Sequence, residues 1–156
     1  MLAAHVADKK EIRFEIEINA TPAKVWAKLA TLEGMNEWLS RKLIFEHRIG
    51  GRFQMEGNQP GEGPYRFAGE VVKLVPEKEL AFTWKSELGE AAEWPVHTLV
   101  TFHLEPAGAG TRVTLTHTGF EALGAALGKS AYEGHVQGWT MSEALKELKK
   151  TVEAAG

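Results

Sequence analysis

The chain has 156 residues, of which 44% are hydrophobic and 25% charged, so it is long enough for one domain with a sizeable core and short for two. Its net charge of −3 argues against binding to nucleic acid or to an anionic membrane surface. It contains no cysteine, which excludes disulfides, thiolate metal ligands and a cysteine nucleophile.

The first ten residues carry several charges and no long apolar run, so they indicate neither a signal peptide nor a membrane span. We expect a flexible leader over residues 1–10 and a single domain over residues 11–156. Because a chain without cysteine suits a reducing compartment, we also expect a cytoplasmic location.

Apolar and polar residues alternate over residues 12–18 and predict a half-buried strand. Two short helices follow, the first capped by Thr21 with Pro22 in its first turn and the second capped by Thr31. A hairpin at Gly50-Gly51 and a breaker-rich loop over 57–64 then separate further strands. The six predicted strands span residues 43–48, 52–56, 66–75, 79–85, 96–105 and 111–118.

A long helix is predicted over roughly residues 131–153, because one set of positions recurs at spacings of four and three. The set consists of Gly134, Gly138, Met141, Leu145, Leu148 and Val152. Its second half is ordinary core, whereas its first half has glycines where core side chains belong. Either the helix packs very closely on its neighbour there, or it leaves a cavity, and we favour the cavity.

Short connections allow consecutive strands to pair as an antiparallel meander, which gives an α+β fold with a curved sheet of seven strands. The helix must bury its apolar stripe, and the concave face of this sheet is the only large apolar surface on offer. The expected cavity therefore lies between the helix and the sheet. Strand alternation and the helix stripe assign most of its lining, which is Phe53, Met55, Phe82, Trp84, Thr98, Val100, His117, Gly134, Gly138 and Met141. Phe67 is a further candidate, although the inward face of its strand is ambiguous. Trp38 and Trp139 are candidates because rigid aromatic rings with one polar group suit ligand sites, although each could equally be core.

His117 is the one histidine that strand alternation places on the concave face. It could bind a polar ligand group or act as an acid or base, or it could simply be hydrogen-bonded to a neighbouring backbone group. The last reading is favoured because no carboxylate shares its face. His97 and His103 alternate outward and lie about 20 Å apart along their strand, too far to share a metal. The sequence indicates no catalytic residues, no metal site and no cofactor.

Several segments together resemble the START-like helix-grip superfamily (SRPBCC). They are IEINATPAKVW from Ile16 to Trp26, Gly50 to Phe53, Leu80 to Trp84, Thr111 to Phe120, and Gly138-Trp139. Within it they resemble the branch of the heat-shock protein 90 ATPase activator homologue C-terminal domain. The resemblance implies a seven-stranded curved antiparallel sheet wrapped around a long C-terminal helix, a cavity for lipophilic molecules, and a stress-response context.

Three functions stay open. The chain is a carrier or sensor of a small hydrophobic, lipid- or polyketide-like molecule, a cyclase- or hydrolase-type enzyme using the same cavity, or a chaperone-cofactor or regulatory interaction module. The expected partner is the small hydrophobic ligand, and an exposed edge strand would also allow a homodimer. A chaperone partner is less expected, because the chaperone activator itself carries a further N-terminal domain that 156 residues do not accommodate.

Overall fold

A computed structural model of the protein describes residues 10–59, 61, 63–88 and 94–155. Except for Lys10, the predicted leader lies outside the described residues. Within them, no helix is long and apolar enough to cross a membrane.

The predicted α+β fold with a curved sheet of seven antiparallel strands is confirmed. The strand order is β1-β7-β6-β5-β4-β3-β2, so β2 to β7 form a meander and β1 pairs with β7. The strands are β1 (Ile12–Ile18), β2 (Leu43–Phe45), β3 (Arg52–Gln59), β4 (Gly63–Val75), β5 (Glu79–Leu88), β6 (Thr98–Ala107) and β7 (Gly110–Thr118).

The segment 57–64 is not the loop that its glycines and proline predict. β3 continues to Gln59 and β4 begins at Gly63, so the two strands pair up to the tip of a hairpin. Pro64 can be accommodated because, among the described residues, β5 pairs with β4 only from Arg66 onward. The prediction of a loop here was therefore wrong, because glycine and proline also occur near the end of a long hairpin.

Two short helices, α1 (Pro22–Leu29) and α2 (Leu32–Trp38), follow β1 as predicted. Each begins at a threonine whose hydroxyl accepts a first-turn backbone N–H, Thr21 for α1 and Thr31 for α2. The helices close one end of the concave face of the sheet.

The C-terminal helical segment begins earlier than predicted and consists of α3 (Ala125–Ser142) and α4 (Ala144–Ala155). A short 3-10 helix, Phe120–Leu123, precedes it. The two long helices are separated at Glu143, which adopts a left-handed conformation with φ 51° and ψ 40°. α4 packs on β1, α1 and α2, whereas α3 packs chiefly against the 3-10 helix.

The break at Glu143 overturns the expectation that one buried stripe runs through the whole segment. α4 buries Leu145, Leu148 and Val152 as predicted, but Gly134, Gly138 and Met141 lie on the exposed side of α3. Met141 is 66% exposed. The left-handed residue interrupts the regular rotation of the helix, so the stripe of α4 cannot be extended back into α3. The buried face of α3 consists of Gly128, Ala131, His135 and Trp139.

Candidate functional site

A row of aromatic rings covers the concave face of the sheet. Phe53 stacks on Phe82 with 4.0 Å between ring centroids, and Phe67 stacks on Trp84 with 4.5 Å. The two pairs join because Phe53 lies 5.8 Å from Trp84. Strand alternation predicts the inward face for Phe53, Phe82 and Trp84 and leaves that of Phe67 open. In the structure the four rings form one continuous surface over β3, β4 and β5.

One end of this row is closed core and the other is partly open to solvent. At the closed end the Trp38 indole packs edge-on against Phe102 and donates to the Lys28 carbonyl at 2.8 Å. At the other end Met55 and Phe67 are only half-buried. The buried residues among the predicted lining are Trp38, Phe53, Phe82, Trp84, Thr98, Val100, His117 and Trp139.

Two side chains of α3, four residues apart, bridge to the sheet. The Trp139 indole N–H donates to Nδ1 of His117 at 3.0 Å, and the Trp84 indole N–H donates to Nε2 of His135 at 2.9 Å. Nε2 of His117 lies 2.7 Å from the Thr98 hydroxyl, which donates to the Trp84 carbonyl at 2.8 Å. We call these five residues the indole–imidazole network.

The indoles determine where the imidazole protons lie, because an indole N–H can only donate. Nδ1 of His117 accepts from Trp139, so the proton of His117 is on Nε2 and is donated to Thr98. Nε2 of His135 accepts from an indole, so its proton is on Nδ1 and is donated to the Ala131 carbonyl at 2.8 Å. Both imidazoles are neutral, and all four ring nitrogens have partners inside the protein.

Burial keeps both histidine side chains neutral at ordinary pH. It lowers the pKa of His135 from 6.5 to about 4, and the hydrogen bond to Ala131 offsets only part of this. It also lowers the pKa of His117 well below 6.5, and the nearby His135 lowers that pKa further. Apart from the effect of His135 on His117, no acidic or basic side chain among the described residues contributes to either shift.

The structure therefore places His117 on the concave face, as strand alternation predicts, with no exposed surface. Its partners are the side chains of Thr98 and Trp139. The prediction that His117 is hydrogen-bonded to a neighbouring backbone group therefore named the wrong kind of partner. The geometry gives this histidine a hydrogen-bonding role in the core. Within the part of the chain that is described, no three side chains of the metal-binding types come together.

Two buried polar atoms beside the network have no hydrogen-bond partner among the described residues. They are the hydroxyl of Ser86 and the indole N–H of Trp94, whose residues are 3% and 1% exposed. The Trp94 ring lies 5.4 Å from that of His135. Ser86 pairs with Phe67 across β4 and β5, and the Phe67 ring lies 5.2 Å from His135. Trp94 therefore lies beside His135, and Ser86 lies opposite Phe67 on the neighbouring strand, at the end of the aromatic row that is partly open.

His135, Trp94 and Ser86 were missed by the sequence prediction, for different reasons. His135 precedes Trp139 by four residues, so setting the phase of α3 from Trp139 would have found it. Ser86 follows Trp84 by two residues on β5 and so shares its inward face. Trp94 lies outside any strand, and no periodicity assigns it a direction.

The exposed glycines of α3 lie on the flank that faces away from β1. On the opposite flank Tyr132 packs edge-on against Phe120 and lies under the ammonium group of Lys10, 5.3 Å from its ring centroid. A Cβ at Gly134 or Gly138 would meet no atom within 4 Å, so close packing does not require either glycine. Both positions therefore face open space beside α3.

Comparison with known proteins gives a match over most of the chain. The family described as "Activator of Hsp90 ATPase homolog 1-like protein" matches residues 19–153. No curated protein matches the sequence.

Solved structures of similar proteins share the whole fold. A protein from Mesorhizobium loti is 26% identical with a TM-score of 0.72, and the match covers 94% of this chain and 98% of that one. A protein from Chromobacterium violaceum is 25% identical with a TM-score of 0.68, covering 92% of this chain and 97% of that one. The Aha1 dimer from Colwellia psychrerythraea, at 24% identity, is similar in fold, with a TM-score of 0.64 over 92% of this chain and 96% of that one.

Proposed function

Because the chain belongs to the Activator of Hsp90 ATPase homolog 1-like family of helix-grip domains, we propose that it binds a small, mainly apolar molecule as a carrier or sensor. The family resemblance inferred from the sequence is confirmed, and such domains are in general ligand-binding domains. The proposed site lies between α3 and the concave face of the sheet, at the end of the aromatic row that carries Phe67 and Met55.

One observation carries this proposal: the buried polar atoms of Ser86 and Trp94 beside the aromatic row, which have no hydrogen-bond partner among the described residues. Leaving a buried donor without a partner costs about 1–3 kcal/mol, so buried polar groups in proteins are nearly always satisfied. A bound molecule that supplies the missing acceptor would remove this cost. Walls that are mainly aromatic with a few polar groups are typical of small-molecule sites.

The hydrogen bonding of the histidines supports binding over catalysis. A general acid or base must present a nitrogen to the substrate. In His117 and His135 every ring nitrogen already has a protein partner. A cyclase or hydrolase mechanism would first have to break the indole–imidazole network, so this alternative is less well supported.

We also propose a cytoplasmic location, as expected for a chain without cysteine. A homodimer is a further proposal, supported by the dimeric state of the Colwellia psychrerythraea protein. The free edges of the sheet are β1 and the three-residue β2, and β1 is the longer surface for strand pairing.

Native mass spectrometry of the protein purified from its own host tests the proposed function. We expect a mass above that of the chain, and release of one apolar small molecule per chain on denaturation. A mass equal to that of the chain, together with no thermal stabilisation by a panel of fatty acids and aromatic compounds, would contradict the proposal. That result would favour the interaction-module function instead.

A further inference from the structure

The walls of the proposed site favour a flat ligand. Phe67 and Trp84 stack with 20° between their planes, and the Trp94 and Phe120 rings lie 5.4 and 5.6 Å from the His135 ring. Aromatic faces gain most from another π-system stacked on them or approaching edge-on. Phe67 is half-buried, so its ring offers a face to an entering molecule.

The polar atoms of the site favour a ligand that accepts a hydrogen bond. The Trp94 indole nitrogen can only donate, so only an acceptor can satisfy it. The Ser86 hydroxyl can also donate. The polar side-chain atoms of the indole–imidazole network beside His135 already have partners.

The electrostatics of the site favour an uncharged ligand. Both histidines are neutral, and no cationic side chain acts on either of them. The arginine of β4, Arg66, is engaged by Glu56 and Glu87 at 3.8 and 3.2 Å. A carboxylate bound among the buried aromatic rings would lose its hydration without gaining a counterion.

We infer that the site takes an uncharged planar aromatic molecule that carries an oxygen acceptor, such as an aromatic ketone, bound through the indole N–H of Trp94 with the Ser86 hydroxyl as second donor. This inference rests on the proposed binding function and specifies its ligand. The acceptor oxygen points toward Trp94, and the ring system lies on Phe67, which is the half-buried ring of the stacked pair.

Two matched probes test the inference: acetylnaphthalene and isopropylnaphthalene substituted at the same ring position. They have the same ring and nearly the same shape, but only the ketone can accept a hydrogen bond. Isothermal titration should give the ketone about tenfold higher affinity for the wild-type protein, the effect of one buried hydrogen bond. Trp94→Phe should remove this preference by weakening ketone binding about tenfold while hydrocarbon binding stays unchanged. Ser86→Ala should reduce the preference in part.

Trp26→Phe provides the matched control, since Trp26 lies on α1 outside the site, and it should keep the tenfold preference. Ser86→Ala, which removes one oxygen, keeps the test decisive should Trp94→Phe fold poorly.

Equal binding of both probes would overturn the inference and leave the proposed function standing. A preference for the ketone that persists in Trp94→Phe and Ser86→Ala would overturn the assignment of the donors. Tighter binding of naphthoate than of the ketone at neutral pH would overturn the inference that the ligand is uncharged. Failure of both probes to bind would overturn the aromatic ligand class, while a ligand found by native mass spectrometry would still support the proposed function.

Discussion

Replacing His117 by alanine is expected to lower the free energy of unfolding by about 3–5 kcal/mol. The imidazole is completely buried, so its removal leaves a cavity in the core. It also leaves the Trp139 indole N–H and the Thr98 hydroxyl without their partner, and each unsatisfied buried group adds to the cost. Urea unfolding followed by circular dichroism measures this difference.

Two variants show whether the hydrogen bonds or the lost volume cause the effect. His97→Ala is the control because His97 is exposed, and its stability should stay within about 0.5 kcal/mol of wild type. His117→Gln keeps one donor and one acceptor, so it should recover part of the stability lost in His117→Ala. Equal stability of His117→Ala and His97→Ala would contradict the core hydrogen-bonding role of His117.

Acidification is expected to destabilise the protein by about 3 kcal/mol through His135 alone. In the unfolded chain this histidine has its ordinary pKa of 6.5, whereas burial lowers the pKa to about 4 in the folded protein. Between these values the unfolded state binds more protons, so stability is fully present above pH 6.5 and is lost progressively as the pH falls to about 4. A protonated Nε2 would also face the Trp84 indole N–H, donor against donor.

Denaturant unfolding of wild type and His135→Gln over this pH range measures the contribution. Other groups also titrate there, so the informative quantity is the difference between the two proteins. That difference should shrink as the pH falls, because glutamine cannot take up the proton. A difference that stays constant from pH 6.5 to about pH 4 would show that His135 is not buried as a neutral group.

The fold could be predicted because its signals are local. Alternation identified the strands, threonine caps marked both short helices, and short connections required an antiparallel meander. The pairing of β3 with β4 was predicted, but its extension into residues 57–64 was missed because glycine and proline there resemble loop residues. The break at Glu143 was missed because no glycine or proline marks this left-handed position.

The residues of the candidate site could be predicted only where they lie on strands. Phe67, Trp84, Thr98 and His117 lie on strands, whose alternation determines the inward face. The contribution of α3 depends on its rotation about its own axis, and the break at Glu143 altered that rotation relative to α4. Because the prediction put the glycines on the buried face of α3, it left His135 out of the site. Trp94 reaches the site only through tertiary packing, which no local pattern predicts.

The central claim is that a small molecule binds beside Trp94, and the indole N–H signals of a ¹⁵N-labelled protein test it most directly. The chain has five tryptophans, so these signals form a small, separate set that variants can assign. On adding acetylnaphthalene, we predict that the Trp94 signal moves downfield as its N–H gains an acceptor, that Trp84 shifts through ring stacking, and that Trp26 stays in place. Saturable binding that moves Trp26 and leaves Trp94 and Trp84 unchanged would place the ligand elsewhere and contradict the account.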